Sequence, residues 1–221
     1  MHYQERQQRP RAFNDPGHAH ELTFSCDHKY PFLTERTCPW LAREIRAACE
    51  EVRYSLWAYV FMPDHVHLVV WPRDSVYNDS DFLKRVKEPV SREAVSFLKQ
   101  TSSDWLMKIR VPRGTKFEHH FWQPGRGHDR NIIESRTLLS MIDYVHNNPV
   151  RRGLVTQAVD WKWSSTGWFL GQPRNNLKPD RIPPEWSESA TTSRKRVVVC
   201  ASPGFREDAL TPATLSSRVV K

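Results

Sequence analysis

The stretch RYSLWAYVFMPDHVHLVVWP, residues 53–72, constrains the fold more than any other part of the chain. It is rich in β-branched and aromatic residues but is too long for one strand, and Pro63 lacks the N–H that a central strand needs. Proline has the φ angle that the second position of a tight turn requires. The stretch therefore predicts a β-hairpin with strands at 54–62 and 65–71 and a turn at Pro63-Asp64.

The segments around this hairpin predict further strands and helices. HELTFSC (20–26) is typical of a first strand, and FEHHFWQ (117–123) is a candidate fourth strand. Apolar residues at helical spacing predict three helices, in which Pro89 is expected to kink or split the second and Pro149 to close the third. These helices are expected at 38–53, 80–101 and 134–149.

The order strand, helix, strand, strand, helix, strand, helix is that of a split β-α-β fold of the α+β class, with an antiparallel sheet and helices on one face. We expect residues 1–19 to form an arm and 20–170 a single domain. After about residue 170 the composition changes to Pro, Arg, Ser and Thr, with few large apolar residues. This change predicts a C-terminal extension, 171–221, that is poorly ordered or loosely docked.

The charge balance favours a polyanionic partner. The chain has 33 Lys and Arg against 25 Asp and Glu, a formal net charge of +8, which fits nucleic acid, with a merely basic surface as the alternative. The four cysteines form no C-x-x-C pair, so neither a disulfide scaffold nor a cysteine-based zinc site is expected. We find no signal-peptide pattern and no run of about 18 apolar residues, and we expect a cytoplasmic protein without a membrane span.

His65 and His67 lie two residues apart on the second strand of the hairpin. Side chains at this spacing point to one face, about 7 Å apart, so the two imidazoles can converge on one ion. The alternative is a pair of polar residues on a solvent-facing side. Two ligands are also too few for a metal site, so a third has to come from another element.

Tyr144 and Asn148 are four residues apart in the last predicted helix, which places the phenol and the amide on one face. The alternatives are an aromatic core residue and an asparagine that ends the helix. Basic residues near this helix are candidates for phosphate contacts, with a solvated face as the alternative. They are Arg126, Arg130, Arg151 and Arg152. Three histidines nearby, His119, His120 and His128, could add ligands or proton-transfer groups.

These motifs together resemble a known family. FMPDHVHLVV looks like the His-hydrophobic-His motif of HUH endonucleases. FWQPG, IDYVHNNPVRRGLV and DWKWSST, in that order, resemble the REP-associated tyrosine transposases. The resemblance covers about residues 20 to 170, and the chain departs from the family pattern between 72 and 116 and in its long C-terminal tail.

The resemblance implies a ferredoxin-like sheet that carries Mg²⁺ or Mn²⁺ on its open face. It implies His65 and His67 as metal ligands, Asn148 as the third ligand and Tyr144 as the nucleophile. The expected activity is that of a transposase: metal-dependent cleavage and strand transfer of single-stranded hairpin DNA through a 5′-phosphotyrosine, by a monomer or homodimer. Two alternatives stay open, a nucleic-acid-binding protein that has lost catalysis and a metal hydrolase acting on a small molecule.

Overall fold

The computed structural model describes residues 14–101 and 103–187. The strands are β1 (Ala19–Ser25), β2 (Tyr54–Phe61), β3 (His65–Pro72), β4 (Arg110–Arg113), β5 (Lys116–His119) and β6 (His128–Ile132). The helices are α1 (Thr37–Glu51), α2 (Asp79–Thr101), α3 (Ser103–Lys108), α4 (Ser135–Arg151), α5 (Thr166–Phe169) and α6 (Pro184–Ser187).

The predicted hairpin is confirmed, with β2 and β3 paired antiparallel on either side of Pro63-Asp64. The Met62 N–H closes it by donating to the His65 carbonyl at 2.8 Å. β1 pairs with the other edge of β3, and β6 pairs with β1, both antiparallel. The central sheet therefore has the order β2-β3-β1-β6.

Both faces of this sheet are covered, because each strand alternates its side chains between them. On one face, residues such as Leu22 and Leu68 join the core formed with α1 and α2. On the other face, α4 packs Leu138, Ile142 and Val145 against apolar residues of β2 and β3. The α+β class and the antiparallel sheet are confirmed, but the expectation that the helices lie on one face is wrong, because α4 covers the face opposite α1 and α2.

The fourth strand of the sheet is β6, and the prediction of FEHHFWQ (117–123) in that place is wrong. Residues Lys116–His119 pair instead with Arg110–Arg113 in a separate two-stranded hairpin. The HDRNI sequence of β6 contains one apolar residue, Ile132, because an edge strand is held mainly by backbone hydrogen bonds to a single neighbour. Its pattern therefore carries little strand signal.

Pro89 and Pro149 lie inside helices, well beyond the first turn. α2 is confirmed and runs through Pro89 without being split. The prediction that Pro149 closes α4 is wrong, since the helix continues to Arg151. A proline so close to the C-terminus removes only one helical hydrogen bond, and the chain leaves the helix at Gly153, which adopts φ +68°.

The packed part of the chain extends past the predicted boundary at 170. Asp180 caps the free edge of β2, accepting from the Leu56 N–H at 2.8 Å and donating its own N–H to the Leu56 carbonyl at 2.7 Å. Leu177 and Trp186 are buried, and the Trp186 ring lies 5.4 Å from that of Trp57. The expectation of a loosely docked extension is therefore wrong up to residue 187, because Leu177 and Trp186 are buried in the core and Ile182 packs against it. Residues 188–221 of the predicted tail, and 1–13 of the predicted arm, lie outside the described residues.

Among residues 14–101 and 103–187, no helix combines the length and the hydrophobicity needed to cross a bilayer.

Candidate functional site

A cleft of about 430 Å³ lies between the sheet and α4. Its floor is polar and comes from β1, β3 and β6, with the side chains of Glu21, Thr23, His67, His128 and Arg130. Its wall is one face of α4, made by Thr137, Ser140, Met141 and Tyr144 at helical spacing. The cleft thus joins the predicted nucleophile and one of the predicted metal ligands.

Strand alternation and cross-strand register bring the floor residues together. Thr23 lies opposite His67 on β3 and opposite His128 on β6. Glu21, two residues earlier on β1, lies opposite Arg130. All of these side chains project to the α4 side of the sheet, away from the core under α1 and α2.

Glu21 and Thr23 hold the His67 ring. His67 Nδ1 lies 2.7 Å from Glu21 Oε1 and 2.9 Å from Thr23 Oγ1, and the Thr23 hydroxyl donates to Glu21. Burial acts to raise the pKa of Glu21, but the hydrogen bonds from His67 and Thr23 outweigh it, and the pKa lies below its ordinary value. Glu21 is therefore an anion that accepts the Nδ1 proton, which leaves Nε2 of His67 as the nitrogen available to a cation.

His65 is held in the same way by its neighbour Asp64. His65 Nδ1 lies 2.8 Å from Asp64 Oδ1, and Arg152 Nη2 lies 3.6 Å from the same oxygen. Burial lowers the pKa of His65, which favours the neutral imidazole. The rings of His65 and His67 are 5.0 Å apart, so two oriented imidazoles share one corner of the site.

Tyr144 reaches this pair from α4. Its ring lies 5.8 Å from the His67 ring in an edge-to-face arrangement, and its side chain is 40% exposed. The guanidinium carbon of Arg151 lies 4.8 Å from the centre of the Tyr144 ring. The phenol is accessible to a substrate and lies beside a positive charge.

Asn148 is buried one helical turn after Tyr144, and its amide Nδ2 donates to the Tyr144 carbonyl at 3.0 Å. Its amide oxygen remains as a candidate ligand. The described contacts connect Asn148 to Tyr144 and to neither histidine. Its role as third ligand stays a prediction.

The four predicted arginines separate into two groups. Arg130 lines the floor of the cleft, Arg151 covers Tyr144, and Arg152 lies beside Asp64. Arg126, in contrast, donates to Ser80 Oγ at 3.3 Å, near the start of α2.

Glu21, Thr23 and Asp64 were missed by the sequence analysis. The alternation within HELTFSC places Glu21 and Thr23 on one face, and this was the available signal. A second polar group was also missed. His20, Asp79 and Asp129 bring ligand atoms within 4.8 Å of one another, and strand alternation places His20 and Asp129 on the opposite side of the sheet from the cleft.

The residues at the cleft fit a divalent cation. Two imidazoles offer nitrogen ligands, and each has its other nitrogen fixed by a carboxylate, which is the usual arrangement around metal-bound histidines. Amide and phosphate oxygens would complete the set for an exchangeable ion such as Mg²⁺ or Mn²⁺.

The sheet, the helices on it and this cleft define a transposase-like fold. A solved structure of an REP-associated tyrosine transposase bound to a REP hairpin superposes with a TM-score of 0.59 at 18% identity, over 80% of this chain and 99% of that one. The chain is also 23% identical over 161 residues to the "Putative REP-associated tyrosine transposase" of Haemophilus influenzae, covering 70% of this chain and 82% of that protein. No protein-family model matches the sequence. The resemblance to the REP-associated tyrosine transposases is therefore confirmed.

Proposed function

We propose that the chain is a metal-dependent endonuclease and strand transferase that acts on single-stranded hairpin DNA through a 5′-phosphotyrosine. The observation that carries this proposal is the edge-to-face contact of Tyr144 with His67 in a cleft that also contains Arg130. The relatives support it, since one is named a tyrosine transposase and another is bound to a hairpin.

Tyr144 is the nucleophile. The Arg151 guanidinium lies over its ring, where it orients the ring and adds positive charge beside the attacking group. Tyr144 Oη forms a bond to the scissile phosphorus, and the bond from phosphorus to the 3′ oxygen breaks. The products are a 5′-phosphotyrosine on the enzyme and a free 3′-hydroxyl.

His65 and His67 would hold the divalent cation, with Asn148 as the proposed third ligand. When bound there, the cation supplies Lewis-acid polarisation of a phosphate oxygen. Glu21 and Asp64 keep both imidazoles oriented, and Arg130 contacts a phosphate of the bound strand.

Strand transfer reverses the first step. The 3′-hydroxyl of another strand attacks the phosphotyrosine, a new phosphodiester forms, and Tyr144 leaves as the phenol. Because the covalent link preserves the phosphodiester energy, the reaction needs no nucleoside triphosphate.

The test is covalent capture. The full chain is mixed with labelled hairpins from the DNA flanking its gene, with Mg²⁺ or Mn²⁺, and is run on a denaturing gel. Label should migrate with the wild-type protein and not with Tyr144→Phe, which keeps the fold and the ring but has no hydroxyl.

An adduct on Tyr144→Phe would contradict the assignment of the nucleophile. The absence of an adduct together with salt-sensitive hairpin binding would instead support a non-catalytic nucleic-acid-binding protein with the same fold.

A further inference from the structure

His20, Asp79 and Asp129 form a buried cluster on the α1 and α2 side of the sheet. They come from β1, from the first residue of α2 and from β6, so three distant parts of the sequence meet there. The side chain of His20 is fully buried, and those of Asp79 and Asp129 are 2% and 5% exposed. The cleft reaction described above uses none of these residues.

The protons on His20 can be assigned from its neighbours. Tyr77 has a single hydroxyl proton, which it donates to the Asp15 carbonyl at 2.8 Å. His20 Nε2, 2.7 Å from Tyr77 Oη, must therefore carry a proton and donate it. The other nitrogen, Nδ1, lies 3.0 Å from Asp129 Oδ1 and 3.3 Å from Asp79 Oδ2. An imidazole lone pair that faces two carboxylates is repelled by both, so a cation belongs between them.

A proton on Nδ1 does not satisfy the whole cluster. Asp79 Oδ2 and Asp129 Oδ2 are both buried and have no hydrogen-bond partner. One N–H can align with only one carboxylate oxygen, and a buried carboxylate oxygen without a partner is costly. Burial raises the pKa of Asp79, and the charge of Asp129 raises it further. The charges of His20 and Arg126 act to lower it. A second carboxylate thus stays poorly compensated by the protein alone.

The surrounding hydrogen bonds suit a metal ligand set. Histidines that bind metals usually donate their other N–H to a fixed acceptor, as His20 does to Tyr77. Asp79 is oriented by Tyr54, whose hydroxyl donates to Oδ1 at 3.0 Å and leaves Oδ2 facing His20. Zinc bonds of about 2.0–2.2 Å place tetrahedral ligand atoms roughly 3.3–3.6 Å apart, within a few tenths of an ångström of the distances around Nδ1.

We propose that His20 Nδ1, Asp79 and Asp129 bind a structural divalent transition-metal ion of the Zn²⁺ type, separate from any ion at His65 and His67. The ion joins β1 and β6 to the start of α2. Asp129 lies between His128 and Arg130, which line the cleft on the other face. The ion therefore also fixes the edge strand that supplies part of the cleft floor.

The test uses the full-length chain carrying His65→Ala and His67→Ala, which removes the imidazole ligands of the cleft. After treatment with a chelator, Zn²⁺ is added, and bound zinc is counted by mass spectrometry of the desalted protein and followed by calorimetry. We expect one tightly bound zinc per chain and a higher thermal midpoint. Asp129→Asn in this background should weaken binding at least about 100-fold, since even residues that only orient a ligand contribute 10–100-fold.

Glu118→Gln is the matched control, because it makes the same chemical change on an exposed hairpin. It should leave the zinc affinity unchanged. A parent chain that binds no zinc, or an Asp129→Asn chain that binds it as tightly as the parent, would overturn the proposal.

Anomalous diffraction from zinc-soaked crystals of the parent gives a result that does not depend on how the variants fold. A zinc peak between residues 20, 79 and 129 supports the site, and a well-ordered cluster without a peak overturns it. Both outcomes are independent of cleavage activity, so the proposed function is tested separately.

Discussion

The hydrogen bond from His67 to Glu21 predicts how the proposed metal dependence of cleavage responds to mutation. Glu21→Gln keeps the size of the side chain and an acceptor oxygen but removes the charge, and Glu21→Ala removes both. At 2.7 Å in a buried site, this is a charge-assisted bond of about 1.5–3 kcal/mol. Substitutions of residues that orient metal-bound histidines cost 10–100-fold in metal affinity, about 1.4–2.7 kcal/mol.

The two magnitudes agree, so we expect the Mn²⁺ concentration for half-maximal cleavage to rise about 10-fold in Glu21→Gln and about 100-fold in Glu21→Ala. The rate at saturating Mn²⁺ should change much less, because Glu21 acts by orienting the ligand. The assay is hairpin cleavage against Mn²⁺ concentration, with Glu118→Gln as the exposed control. An unchanged Mn²⁺ dependence in a folded Glu21→Ala chain would refute the orienting role.

Three further predictions concern other parts of the structure. Arg151→Met removes the cation over the Tyr144 ring and should slow cleavage at pH 7 about 10-fold, because the ring loses a contact that orients it; an unchanged rate would contradict this. Burial lowers the pKa of His146 to about 4, so the unfolded chain takes up the proton first as pH falls. The free energy of unfolding should therefore drop by about 3 kcal/mol from pH 7 to pH 4, and denaturant titrations should show a shallower drop in His146→Gln. In the same titrations, Trp186→Ala should lower the free energy of unfolding by about 3–5 kcal/mol, and Phe169→Ala, at an exposed position, should lower it little. Equal losses would mean that the segment ending at 187 is not part of the core.

The hairpin was predictable because its signals are local. Pro63 excludes a single long strand, and the alternation after it places His65 and His67 on one face. The helix that carries Tyr144 was equally clear from its apolar stripe, and only its end was misplaced. Local patterns thus predicted the elements that carry His65, His67 and Tyr144.

The rest depends on which strands pair and in which register. Glu21 contacts His67 only because β1 pairs with β3, and no spacing within either strand contains that information. β6 has almost no apolar alternation, so its place at the sheet edge was hidden. The cytoplasmic location and the oligomeric state stay predictions.

The contact between Tyr144 and His67 joins two elements of one polypeptide. The proposed attacking oxygen and the imidazoles proposed to hold the cation therefore lie in one chain, which is an arrangement in cis. Mixing an inactive Tyr144→Phe chain with an inactive His67→Ala chain should accordingly restore no cleavage, because the intact Tyr144 and the intact His67 are then on different chains.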